Sequence, residues 1–387
     1  MKLKFAIEIV LSVVMVTLCG CGNGRKEGDA NRVAASNSVD TNKRELDVKY
    51  ARGFSLKNLS PGITLVDISD PEKQDGTVYK FALVDEGVSS TEVPEDYTTV
   101  KVPIERAICM TSLQLSNFAK LGELDRISGI TSTRHLFNQE MNERLKNGKT
   151  HKIGIEGNFD NEVILAINPD IILISPFKRG GYDALKNVDV PLLPHLGYKE
   201  LTPLGQAEWI KLVGLLTGQS SKAWEIFSGI EDRYNDLKSM ADNVTERPKV
   251  VSGQMQGGHW YAVGGRSFLA QLFNDAGASY FLKDNNESGG VTLDYEKVYS
   301  DAGDSDYWRI VNSFDGNYSY EALKNEDNRY TDFKAWKNHG VIYCNMREVP
   351  FYETMPVEPE VVLADLIAIF HPELLPEHKP RYYQLMK

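Results

Sequence analysis

The sequence predicts an α/β fold of two lobes with mainly parallel sheets, joined by one long helix and preceded by a β-hairpin extension. Three observations carry this. From Arg106 to Pro194 short apolar strands alternate with amphipathic helices, the pattern of βα units and a parallel sheet. From Ser220 to Val244 an apolar stripe at helical spacing runs without a proline, and after Pro248 a second alternating block begins. At 387 residues the chain exceeds one ordinary core, so two lobes with appendages are its natural organisation.

The elements follow in order. Lys2 and Lys4 precede an apolar run, Phe5 to Leu18, that is too short to span a bilayer as an ordinary helix. It ends in Leu18-Cys19-Gly20-Cys21, which resembles a bacterial lipobox, although Glu8 inside the run departs from the usual pattern. Residues 1–20 then form a signal peptide, and the Cys21 thiol is the nucleophile that receives diacylglycerol. Two or three acyl chains give lasting anchorage where one does not. Residues 21–48, rich in Gly, Asn, Ser, Lys and Asp, cannot offset the entropy of ordering and form a tether. Residues 49–103 are a β-rich extension in which 62–68 and 77–84, joined by the turn-like 70–76, predict a hairpin.

The first lobe spans 104–219. Its strands are 107–110, 127–130, 171–174 and 191–194, and the third has no polar alternation, so it is expected to be buried on both faces. Helices fall at 113–121 and 162–167, the latter stopped by Asn168-Pro169-Asp170, and at 204–218. The connecting helix occupies 220–247, with Trp224, Phe227, Ile230, Tyr234 and Leu237 as its stripe; Gly229 weakens it by about 1 kcal/mol against Ala. The second lobe, 248–387, holds strands at 250–251, 260–263, 308–311 and 340–343, a helix from Ser267 and a terminal helix at 361–370. Cys109 and Cys344 are left in the mature body, and their separation in sequence gives no geometric warrant for or against a disulfide.

Charge and motifs exclude several functions. A formal net charge of -11 argues against a nucleic-acid partner, since a phosphate backbone is met by clustered Lys and Arg. The chain has no G-x-S-x-G, H-E-x-x-H or P-loop. Gly257-Gly258 and Gly264-Gly265 are not a dinucleotide fingerprint, and His135, His151, His195, His259 and His339 are spread singly. The expectation is a protein that is not an enzyme, with no cofactor and no directly bound metal.

Four ordered segments between residues 104 and 375 carry a family resemblance. Gly154 to Ile174, with a glycine, the helix-opening Glu162 and the Asn168-Pro169-Asp170 strand start, resembles iron-chelate and vitamin B12 periplasmic binding proteins. Gly264-Gly-Arg-Ser267 through Gly277, Leu293-Asp-Tyr-Glu296-Lys-Val before Ser305 to Ile310, and Asp365 to Glu373 are similar to that family's later segments. The resemblance implies a monomeric solute-binding lipoprotein of an ABC importer, held in the cell envelope by its lipid and meeting a permease dimer. It also implies one docking carboxylate per lobe, at Glu162 and Glu296. Each opens a predicted helix, where a carboxylate is exposed and available to an Arg outside the chain.

Ligands of open α/β lobes lie at the carboxyl ends of the strands. In the first lobe this nominates Thr111 and Ser112, Thr133-Arg134-His135, Phe177-Lys178-Arg179, His195 and Tyr198. In the second it nominates His259-Trp260-Tyr261, Arg266 and Asn345-Met346-Arg347. Aromatic rings would stack on a flat ligand, and Arg or Lys would neutralise an anionic chelate. Ferric siderophores rank first, with corrinoids and haem behind. The competing expectations are a surface lipoprotein serving an outer-membrane receptor and a chelatase-like enzyme on the same fold.

Overall fold

The computed structural model describes residues 46–387 apart from 74–75, 132–135, 156–157, 177–181 and 186–187. Cys21, and with it the lipid anchor, lies outside the described residues. No described helix is long and apolar enough to cross a membrane.

The first lobe is built on a five-stranded parallel sheet in the spatial order Leu192–Pro194, Ile171–Ile174, Ala107–Cys109, Ile127–Ile130, His151–Lys152. Ile171–Ile174 has a hydrogen-bonded neighbour on each side, and its four side chains are at most 6% exposed. That is the burial its unbroken apolar run requires. The second lobe repeats the plan. Ser279–Tyr280, Lys249–Ser252, Tyr307–Asn312 and Val341–Asn345 run parallel, and Gln384–Leu385 closes the sheet antiparallel. The strand His259–Val263 belongs elsewhere: it is the middle of a small antiparallel sheet between Gln254–Gln256 and Gly290–Leu293.

The helix Ser220–Asp242 links the two blocks. Phe227, Ile230 and Tyr234 of its stripe are buried, against Ile210–Thr217 of the first lobe and Pro359–Phe370 of the second. The predicted helix at 204–218 is two pieces, Pro203–Glu208 and Ile210–Thr217. At the junction the Trp209 N–H bonds to Gln206 three residues back, the tighter 3₁₀ spacing. The Trp209 indole, meanwhile, is drawn to Glu200 at 2.9 Å.

The predicted hairpin exists as Ile63–Ile68 against Tyr79–Asp85, but it is the centre of a four-stranded sheet completed by Phe54–Ser60 and Thr98–Val102. The segment leading into this sheet is held by two buried carboxylates. Glu208, fully buried, accepts from the backbone N–H groups of Lys49 (2.9 Å), Tyr50 (2.6 Å) and Ala51 (2.8 Å), and from the Lys211 ammonium at 2.6 Å. Glu200 takes Arg52 and Gly53, the latter at 2.8 Å. Gly53 is needed there, because a Cβ would sit 2.7 Å from the Trp209 ring. The carboxylates thus fix where the chain leaves the body toward its N-terminus.

Cys109 lies in the first sheet and Cys344 in the second, and both thiols are free and buried. Burial pushes both thiols up, Cys344 to about 12, so neither carries the thiolate needed for exchange near neutral pH.

Candidate functional site

The site assembles at the carboxyl ends of the first sheet. Ala107–Cys109 runs into Thr111 and the helix Ser112–Leu121, Ile171–Ile174 into Ser175, and Leu192–Pro194 into His195 and Tyr198. Gln114 ties two of these ends together. Its Oε1 accepts from the N–H groups of Met110 (2.7 Å) and Thr111 (3.2 Å), while its Nε2 donates to Ser175 Oγ at 3.1 Å. Asn117, one helical turn on, places Nδ2 3.3 Å from His195 Nε2. The His195 ring packs on Trp209 with centroids 4.7 Å apart.

These side chains line a small enclosure of about 10 Å³ together with Leu113, Gly197, Gln206 and Pro356, the last from the second lobe. That is room for about one water, so as it stands the enclosure would admit no more than a single small group. Among the described residues Asn117 Oδ1 is buried without a hydrogen-bond partner, and Thr111 Oγ1, which faces the Gln114 backbone N–H in a capping box, has no hydrogen bond of good geometry. Buried polar atoms of that kind are costly unless something satisfies them, and here both line one enclosure. The described floor is uncharged, since burial lowers His195 from its ordinary 6.5 to about 4 and keeps the ring neutral at physiological pH.

That shift has a stability consequence. The folded pKa lies below the unfolded one, so the contribution of neutral His195 is complete above about pH 6.5 and is lost as pH falls toward 4. Thermal midpoints of wild type and His195→Gln measured from pH 7 to 4 are expected to diverge, with the wild type falling more steeply. Parallel curves would show that the imidazole is not desolvated.

The structure brings Thr111, His195 and Tyr198 together. Arg134, His135, Lys178 and Arg179, with Thr133 and Phe177, lie outside the described residues. In the second lobe His259 is exposed, 3.5 Å from Asp294, and Tyr261 is 46% exposed. Arg266 is exposed, and Arg347 is paired with Asp315 at 3.2 Å. None of these four lines the described enclosure. Trp260 requires a correction: it is fully buried among Trp308, Phe333 and Tyr330, with its Nε1 donating to Ser252 O at 3.0 Å, and has no face to offer a ligand. Sequence reasoning missed Gln114, Asn117, Ser175 and Gln206. The available signal was Gln114 and Asn117, a polar pair at i, i+3 within a helix whose Leu115, Phe118 and Leu121 are core.

A larger groove, about 920 Å³, is elsewhere. It runs beside Arg247, Asp306, Lys334 and His371 at the amino ends of the second sheet's strands, where Lys334 and Asp306 already neutralise each other at 2.6 Å. Parallel sheets bind ligands at the opposite ends, so chemistry and topology both favour the smaller enclosure over the larger groove. Among the described residues no group of three or more His, Cys, Asp or Glu is placed to hold a metal ion.

Two parallel-sheet lobes linked by a long helix, with an orphaned polar enclosure where the strands of one lobe end against the other, define a solute-binding protein. The chain belongs to the periplasmic binding protein family, which matches it over residues 108–347. Members of that family bind small molecules and work with ABC transporter permeases. An uncharacterized lipoprotein of Methanocaldococcus jannaschii is 24% identical over 99% of this chain and 96% of its own. The fold is shared with the structure titled as an ABC-type Fe3+-hydroxamate transport system from Saccharomonospora viridis, at TM-score 0.55 and 20% identity, covering 70% of this chain and 94% of the other. It is likewise shared with a periplasmic heme-binding protein from Roseiflexus, at TM-score 0.55 and 17% identity, covering 70% and 99%.

Proposed function

We propose that this protein is the lipid-anchored binding component of an ABC importer and that its solute is a ferric siderophore. The observation that carries the reading is the enclosure at the strand ends, with Thr111 Oγ1 and Asn117 Oδ1 buried and neither well hydrogen-bonded among the described residues. Polar, uncharged groups of this kind suit the amide, hydroxamate or catechol oxygens and N–H groups of a chelate. Haem and corrinoids stand behind: of the aromatic side chains nominated to stack on a flat ligand, Trp260 is core, His259 and Tyr261 lie away from the enclosure, and among the described Phe, Tyr and Trp residues Tyr198 alone lines it. The heme-binding and Fe3+-hydroxamate proteins that share the fold keep both classes in the test. Cys21 and the lipoprotein relative support the anchor.

Glu162 and Glu296 support the importer partnership. Both are exposed in the first turn of a helix, Asn161–Ile167 and Tyr295–Ala302, one in each lobe. Neither carboxylate makes an ion pair or hydrogen bond with a described residue. Arg329, the cation whose field Glu296 feels, is itself held by Asp327 at 2.7 Å. Two free carboxylates on separate lobes suit a permease of two subunits.

A titration panel tests the ligand class. Ferric hydroxamate, ferric catecholate, haem and cyanocobalamin are added to wild type, Thr111→Val and Asn117→Ala, with binding followed by intrinsic fluorescence and native mass spectrometry. A ferric chelate is expected to bind tightest, and each substitution to weaken it by about 0.5–1.5 kcal/mol, roughly 2- to 13-fold. Tight cyanocobalamin or haem binding that neither substitution touches would overturn the siderophore assignment.

A further inference from the structure

We propose that each lobe meets the permease through a carboxylate and exposed apolar side chains acting together: Glu162 with Ile155 and Leu165 on the first lobe, Glu296 with Tyr261 and Tyr299 on the second. This rests on the docking role of the two Glu residues given above and adds to it what surrounds each contact.

The two most exposed large hydrophobic side chains of the described surface are Ile155, at 63%, and Leu165, at 60%. Both belong to the segment that carries Glu162. Leu165 lies three residues beyond Glu162 on Asn161–Ile167, so the two share a helix face. Ile155 is in the short hairpin, Gly154–Ile155 against Asn158–Phe159, that leads directly into that helix. The second lobe repeats the spacing. Tyr299, 42% exposed, is three residues beyond Glu296 on Tyr295–Ala302. Tyr261, 46% exposed, is on His259–Val263, whose partner strand Gly290–Leu293 runs straight into that helix.

Single exposed hydrophobes need no explanation. Here they flank an unpaired carboxylate twice, in two lobes with separate sheets, and that repetition points to one partner touching both. Tyr299 is also preorganised. It stacks on Tyr295 with centroids 6.0 Å apart and planes 7° apart, and is met edge-on by Phe333 at 5.5 Å, so little freedom is lost on contact. The partner must present, on each of two halves, a cation set in apolar surface, since apolar anchors within a polar rim are the anatomy of protein interfaces. An anionic lipid surface does not fit two bare carboxylates on a chain of net charge -11, and a second copy of the chain would set Glu against Glu.

The test places p-benzoylphenylalanine singly at positions 155, 165, 299 and 162, and at Val88 and Met240 as exposed controls, in the full-length lipoprotein in its native membranes. After irradiation the adducts are identified by mass spectrometry. Positions 155, 165, 299 and 162 are expected to label a polytopic membrane protein, and the controls are expected not to. Adducts from 162 alone would overturn the apolar contribution while leaving the carboxylate docking intact. Adducts only to lipid, to a second copy or to a soluble protein, or no adducts from any position, would overturn both. As a second measurement, Leu165→Ser with Tyr299→Ser is expected to lower uptake of a ferric hydroxamate about 10-fold at unchanged ligand affinity. Unchanged uptake would overturn the proposal.

Discussion

Replacing Glu162 and Glu296 together by Ala is expected to abolish uptake of the bound chelate while its affinity for the isolated protein stays within about threefold, a change of roughly 0.65 kcal/mol. The asymmetry follows from where the groups are. Each carboxylate is exposed, unpaired among the described residues and absent from the lining of the described enclosure. Removing them takes nothing from that pocket and leaves no buried group unsatisfied. What is lost is a charge-assisted contact to each half of the partner, about 1.5–3 kcal/mol apiece, which together amount to roughly 100-fold or more. The measurement is uptake of radiolabelled ferric chelate by cells, set beside the dissociation constant in solution. A collapse of affinity would move both residues into the cleft. Full uptake by the double variant would remove them from docking.

The parts of the fold legible in the sequence were those whose burial leaves no choice of period. Ile171–Ile174 is apolar throughout because it has strands on both edges and is packed on both faces, and the Phe227, Ile230, Tyr234 stripe is helical because only that face meets core. The strands Phe54–Ser60 and Thr98–Val102 were not legible. They are the two outer strands of their sheet, and their alternation is short: Phe54 and Leu56 alternate with Ser55 and Lys57 before Asn58 breaks the pattern, and Val100 and Val102 flank Lys101 alone. The site was half legible. Thr111 and His195 follow from the rule that loops after parallel strands hold ligands. Gln114 and Asn117 lie inside a helix, and that rule does not look there.

Trp260 shows how the remaining misassignment arose, and it yields the largest expected loss of stability. Its neighbours His259 and Tyr261 are both exposed, and nominating all three for a ligand overlooks the strand's period. On a strand alternate side chains face opposite ways, so exposure of 259 and 261 is itself a reason to place 260 inside. The ring sits with centroids 5.5 Å from Trp308, 5.5 Å from Phe333 and 6.0 Å from Tyr330, and its N–H satisfies the Ser252 carbonyl at 3.0 Å. Trp260→Ala therefore opens a cavity in a rigid aromatic cluster and orphans a buried carbonyl, a cost of about 3–5 kcal/mol. Trp260→Phe keeps much of the ring and loses the hydrogen bond, so a smaller cost of about 1–3 kcal/mol is expected. Urea unfolding followed by circular dichroism should rank the three proteins wild type, Phe, Ala, while the folded Phe variant binds ferric hydroxamate with wild-type affinity. If instead Trp260→Ala unfolded at the wild-type urea concentration and only ligand binding were lost, the ring would belong to the cleft and the buried placement would be wrong.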